Sequence, residues 1–243
     1  MTNLNEPHTA KVLDRELAEL LKLIARIGGM AENQIEEASR ALLERDDRLA
    51  AEVIKRDQEV DRLEADIQQK ILHMLALRAP VADDLRLVVS AISAASAFER
   101  VADYAANAAK RSMVLNTMPL VPAARPVVRL MQMVKRQLHA ATNAFVEGDA
   151  QQAIAVWEHD DEIDAIYSSL FREILTYMME DPRQISACTH LLFIAKNVER
   201  VGDHSTNIAE LTYFMVTGKQ LRDRPKADVT SSLAHTLDDE ADV

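Results

Sequence analysis

Glu99 and Asp103 stand four residues apart, as do Glu199 and Asp203, and Asn107 and Asn207 extend each series by four more. On an α-helix that spacing sets the three side chains of each series along one stripe. Two further pairs, Asp57 with Asp61 and Asp160 with Asp164, repeat it on the helices that precede these stripes. Carboxylates brought together across two helices raise one another's pKa unless a counter-charge is present, and a bound cation supplies one. An all-oxygen donor set selects Mg²⁺, Ca²⁺, Mn²⁺ or iron over zinc. Asp57, Asp61, Glu99, Asp103, Asp160, Asp164, Glu199 and Asp203 are therefore the candidate ligands of carboxylate-bound divalent or iron cations.

Two other readings of the same residues stay open. An acidic stripe is often a solvated face, and Lys196, three residues before Glu199, offers an ordinary surface ion pair. The equivalent position in the earlier copy is Ser96, so that pair is not repeated where the acids are. The solvated reading makes the protein a purely structural helical scaffold. A carboxylate-bridged metal enzyme is the other alternative, because helical bundles hold di-iron centres with Glu and Glu-x-x-His pairs. None of the seven histidines has Glu three residues before it, and His204 points about 100° away from Asp203. His204 and its counterpart Tyr104 are therefore not expected among the ligands. Glycine-rich phosphate loops, Gly-x-Ser-x-Gly elbows and spaced Cys/His pairs are missing, so no catalytic residues are assigned.

The elements that must carry these acids are helices. Leu13, Leu17, Leu20, Ile24, Ile27, Ala31, Ile35, Ala38 and Leu42 alternate spacings of three and four, a bundle-facing stripe. Asp46 or Asp47 caps the next helix, whose stripe runs Val53, Val60, Leu63, Ile67, Met74 and ends at Pro80. A third helix, to about Arg111, turns Leu85, Val88, Ile92, Ala95, Phe98, Ala102 and Ala105 inward. After a proline-rich segment the pattern restarts: a fourth helix from Val127, closed by Gly148, a fifth capped by Asp149, and a sixth opened by Asp181 and Pro182.

The halves superimpose by sequence. Glu44, Asp46, Asp57 and Asp61 match Glu147, Asp149, Asp160 and Asp164 at an offset of 103, and Glu99, Asp103 and Asn107 match Glu199, Asp203 and Asn207 at 100. An all-α fold of two tandem three-helix bundles with pseudo-two-fold symmetry follows, divided as 1–115, a linker over 116–126, 127–218, and a polar tail over 219–243. Five glycines and 4% aromatic residues suit helix on helix with an aliphatic core. A net charge of -11 with no basic cluster excludes nucleic acid as a partner. The single cysteine, Cys188, is expected to be a buried thiol. No signal sequence or membrane-length apolar run is visible, so a cytoplasmic location is expected, with membrane association only through partners.

The stretches ERVGDHSTNIAE, ERVADYAANAAK, APVADDLRLVVSAI and TYMMEDPRQI resemble the PhoU family from about His8 to Gly218. The family's Glu/Asp-x-x-x-Asp motif matches at Glu99 with Asp103 and at Glu199 with Asp203. The resemblance implies multinuclear metal sites at those motifs and a homodimer. It also implies an adaptor between a phosphate ABC transporter ATPase and a sensor histidine kinase, which keeps the phosphate-starvation response off. Ala102 and Tyr104 stand where the second half has Gly202 and His204.

Overall fold

The computed structural model describes residues 6–221, with side chains from residue 12 onward. Its elements are α1 (Glu6–Glu44), α2 (Asp47–Arg78), α3 (Ala82–Asn116), α4 (Ala124–Glu147), α5 (Ala150–Glu180), a 3₁₀ turn (Pro182–Gln184) and α6 (Ile185–Thr217). No strand occurs among the described residues. The tail expected over 219–243 lies outside them beyond Leu221.

Local chemistry sets the helix boundaries. Asp46 accepts hydrogen bonds from the backbone N–H of Arg48 and Leu49 at 2.9 and 3.0 Å, and its repeat partner Asp149 accepts from Gln151 and Gln152 at the same distances. Each satisfies donors that a helix start leaves unpaired. Gly148 ends α4 at φ 65°, whereas Arg45 takes the equivalent left-handed conformation at φ 56°. A side chain there is costly. Arg45 offsets it by donating from Nη2 to the carbonyls of Leu115, Asn116 and Met118 at 3.1, 2.7 and 2.8 Å, which ties the start of α2 to the end of α3. Asp181 caps the 3₁₀ turn rather than α6 itself, so Pro182 begins that turn and α6 follows at Ile185.

α3 and α6 run antiparallel and share the most extensive contact in the molecule. α1 packs on α4, and α4 on α6, while α2 touches only α1 and α3, and α5 packs on α4, α6 and the 3₁₀ turn. Four helices thus form the centre, with α2 and α5 on the flanks. One continuous apolar core runs through both halves. α3 can pack on three helices at once because most of its buried residues are alanine, so its buried surface extends well beyond a single stripe. Leu85, expected inward, is 40% exposed at the frayed start of that helix. Across the connection between halves, Val121 and Ala123 are buried in the shared core.

Two adjacent glycines report on the α1–α4 contact. A Cβ on Gly28 would stand 2.6 Å from Thr142 Cγ2 and 3.2 Å from Phe98, whereas one on Gly29 meets nothing within 4 Å. In a helix, Ala is favoured over Gly by about 1 kcal/mol when space allows. Gly29→Ala is therefore expected to stabilise the protein by up to about 1 kcal/mol, and Gly28→Ala to destabilise it by about 1–3 kcal/mol through overpacking. Urea unfolding of the two variants checks this pair of opposite signs.

Candidate metal site

The acidic pairs meet where each flanking helix lies against its central helix. In the first half Asp57 and Asp61 of α2 face Glu99 and Asp103 of α3. Burial pushes Asp57 up to about 6, helped by the charges of Asp103 and Asp61 and opposed by Lys110. Glu99 is raised by burial and then by Asp103, with Asp61 and Glu64 adding to it and Arg100 opposing. In the second half Asp160 and Asp164 of α5 face Glu199 and Asp203 of α6. Asp203 is pushed up to about 7, first by loss of surrounding water, then by Glu199, Asp160 and Asp164, with Lys196 opposing. One side of Asp203 stays open to solvent, which screens part of the rise; the crowding by three like charges persists.

All eight residues thus fall into the two clusters expected. Their side chains are not closed around a point: among the described residues no three Asp, Glu, His or Cys groups are gathered as a ligand set. Nearby bases share the acids instead. Lys196 Nζ lies 3.0 Å from Glu199 Oε2, the expected surface pair. The first half has a base too, which corrects the inference drawn from Ser96. Arg100 reaches its sequence neighbour Glu99 at 3.7 Å and Asp103, three residues on, at 3.6 Å. These are long contacts to a side chain 61% exposed, and such pairs are weak.

Beneath the acids lie two residues that the stripe pattern passes over. Gln137 of α4 is buried and donates from Nε2 to Asp160 Oδ1 at 3.4 Å and to the Val156 carbonyl at 3.5 Å, while its Oε1 has no hydrogen-bond partner. Gln34 of α1, 103 positions earlier, is also buried; with its amide oriented to suit its neighbours, it donates to the Ala102 carbonyl at 3.1 Å and accepts from the Asp57 N–H at 3.2 Å. The offset that joins Asp57 to Asp160 joins these glutamines, and it is the signal that could have found them.

A hard cation suits this arrangement. Asp57 Oδ1 is buried without a hydrogen-bond partner, as is Gln137 Oε1. At Gly202 an added Cβ would stand 3.4 Å from Ile163 Cγ2, 3.5 Å from Gln137 Oε1 and 3.6 Å from Asp160 Oδ1, so the glycine leaves space beside two oxygens and a methyl group. The donors are carboxylates and an amide oxygen, with no thiolate or imidazole among them. His204 instead packs its ring against Tyr104, centroids 5.7 Å apart, and burial together with Arg100 and Arg200 lowers its pKa. Cys188 is fully buried, and burial raises its thiol pKa.

The raised carboxylates make stability depend on pH. Asp203 and Asp57 hold protons in the folded chain that the unfolded chain has released, so between about pH 4 and pH 7 the cation-free protein loses stability as pH rises. In EDTA, Asp203→Asn is expected to raise the Tm at pH 8 and to change it little at pH 5. The gain is about 1 kcal/mol or less, since solvent screens the open side. Thermal unfolding of both proteins across that range checks it.

Comparison with known proteins finds one domain twice in the chain. The PhoU domain model matches twice, over residues 24–112 and 127–212. A phosphate-specific transport system accessory protein PhoU homolog of Caulobacter vibrioides is 44% identical over 226 residues, covering 92% of this chain and 98% of its own. Its counterpart in Rhizobium meliloti is 43% identical over 237 residues, covering 97% and 100%. The crystal structure of PhoU from Pseudomonas aeruginosa superimposes with a TM-score of 0.82 at 34% identity, over 85% of this chain and 99% of that one. That of the phosphate transport system regulatory protein PhoU from Streptococcus pneumoniae gives 0.81 at 28% identity, over 87% and 100%. Each domain match spans one half with its own pair of acidic stripes, and the chain belongs to the PhoU family.

Proposed function

We propose that this protein is a cation-binding regulatory adaptor of phosphate uptake. In this reading it works in the cytoplasm, as a homodimer, between a phosphate ABC transporter ATPase and a sensor histidine kinase, and it holds the phosphate-starvation response off while phosphate is plentiful. The family and the names of its relatives support the phosphate-transport setting. No helix among the described residues is long and apolar enough to cross a membrane.

The observation that carries the cation is the duplicated carboxylate cluster, with Asp57 and Asp203 raised by burial and by like charge. Asp57, Asp61, Glu99 and Asp103 would hold one group of ions, and Asp160, Asp164, Glu199 and Asp203 the other; Mn²⁺, iron, Mg²⁺ and Ca²⁺ all suit the donors. The cation would supply positive charge that releases the protons on Asp57 and Asp203 and draws each flanking helix onto its central helix. Gln137 would orient Asp160 from below. The role in this reading is regulatory rather than catalytic, as the names of the family's members suggest.

Elemental analysis of the purified protein tests the site: the wild type is expected to carry Mn, Fe, Mg or Ca, and Asp103→Asn combined with Asp203→Asn to lose most of it. Equal metal in both would remove the site. For the role, deletion of the gene is expected to switch on phosphate-starvation promoters in high phosphate, and a pull-down is expected to retain the transporter ATPase and the sensor kinase. Unchanged repression would contradict it.

A further inference from the structure

Tyr104 and His204 hold equivalent positions in the two halves, and their rings meet where α3 crosses α6. The contact therefore lies near the pseudo-two-fold axis, and each side of it displays the same repeat positions with the two helices exchanged. On one side the Arg111 guanidinium carbon lies 4.1 Å from the centre of the Phe193 ring, and this pair occupies the furrow between the helices. At the equivalent positions on the other side stand Leu211 and Ser93. On this side an open-sided cavity of about 860 Å³ lies between α3, α6 and the residues that follow α6, with Gln220 and Leu221 in its wall beside Ser93 and Leu211.

The walls of this cavity are chemically divided. Arg100 and His204 stand at the end nearest the axis, and Phe214 with Ser93 at the far end. Arg100 is held by long ion pairs to Glu99 and Asp103, so its guanidinium keeps donors free for an oxyanion. Between the ends, Glu210 lines the wall with its carboxylate fixed by the indole N–H of Trp157 at 3.1 Å, which leaves acceptor capacity for a hydroxyl or amino group. Leu211 and Phe214 supply apolar surface for a ring. The volume is that of a small-molecule site, and a lone inorganic phosphate would leave most of it unfilled.

We propose that this cavity binds an organic phosphate of nucleotide size, with the phosphate on Arg100, the ring against Phe214 and Leu211, and Glu210 accepting a hydrogen bond from the sugar or base. Arg100 is also the base that shares Glu99 and Asp103. A phosphate that draws Arg100 into the cavity leaves those acids to a cation, and a cation on the acids frees Arg100 for the phosphate. The two affinities rise together, by the same factor in both directions. That coupling rests on the cation reading above; the cavity site does not.

Trp157, the single tryptophan, reports on the site through Glu210. The full-length protein is titrated with AMP, and separately with inorganic phosphate, while its fluorescence is followed in EDTA and in Mn²⁺. AMP is expected to give a saturable change, weakened about tenfold or more by Arg100→Gln, which removes a charge-assisted contact. Ser93→Phe with Leu211→Arg, which rebuilds the Arg111–Phe193 plug, is expected to abolish it with an unaltered circular dichroism spectrum. Arg200→Gln, on the plugged side, is expected to leave it intact. Absence of saturable AMP binding, or undiminished binding by the plugged variant, would overturn the site, and inorganic phosphate binding as tightly as AMP would overturn the nucleotide class. Mn²⁺ is expected to tighten AMP binding in the wild type and not in Glu99→Gln with Asp103→Asn. AMP binding indifferent to Mn²⁺ would overturn the coupling; if metal analysis also finds no bound ion, the cation reading falls while the cavity site stands.

Discussion

The antiparallel packing of α3 on α6 is the contact on which the rest of the molecule depends. α3 brings alanine to most of its buried positions, from Ala91 to Ala109, and α6 brings Ala187, Ala195, Gly202 and Ala209, so the backbones are open to neighbours on several sides. Helices enclosed in this way have little surface left for charge. The acids occupy the strip that remains, at the seam with α2 or α5, and the enclosure that makes the core also removes water from Asp57 and Asp203. Fold stability and the chemistry of the acids thus pull against each other, and the charges persist at a cost that a cation or a proton would relieve.

The two halves meet this conflict differently. In the first, Ala102 replaces the glycine, Gln34 spends its amide on backbone groups, and Arg100 shares the acids from an exposed position. In the second, Gly202 leaves space beside Ile163, Gln137 and Asp160, and Lys196 pairs with Glu199 while also easing Asp203. The repeat keeps both glutamines and both sets of acids, and the halves differ in what those groups bond. The halves differ likewise where Arg111 stacks on Phe193 on one side and Leu211 and Ser93 border open space on the other. Symmetric scaffolding with asymmetric lining gives the acids of the two halves inequivalent surroundings.

Much of this was legible in the sequence, for physical reasons. The helices, their caps at Asp46 and Asp149 and the four acidic pairs all depend on short-range spacing, which a helix converts directly into geometry. What escaped depends on which faces of a helix are covered. Alanine scarcely marks a stripe, so the full burial of α3 was not visible, and Leu85 was assigned inward although the end of its helix is open. Gln34 and Gln137 carry no signal of their own in the stripe pattern because their partners come from other helices. Ser96 hides the base of the first half because Arg100 stands three residues before Asp103 rather than before Glu99. A close approach such as that of Gly28 to Thr142 has no local signature at all.

The central claim is that the paired seams hold cations. Anomalous diffraction at the manganese edge, from crystals grown or soaked in Mn²⁺ near neutral pH, tests it most directly. The account predicts a peak at each seam, one within ligand distance of Asp57 and Asp103 and one within ligand distance of Asp160 and Asp203. Crystals in Mn²⁺ with no anomalous density at either seam, the carboxylates still paired to Arg100 and Lys196, would contradict it.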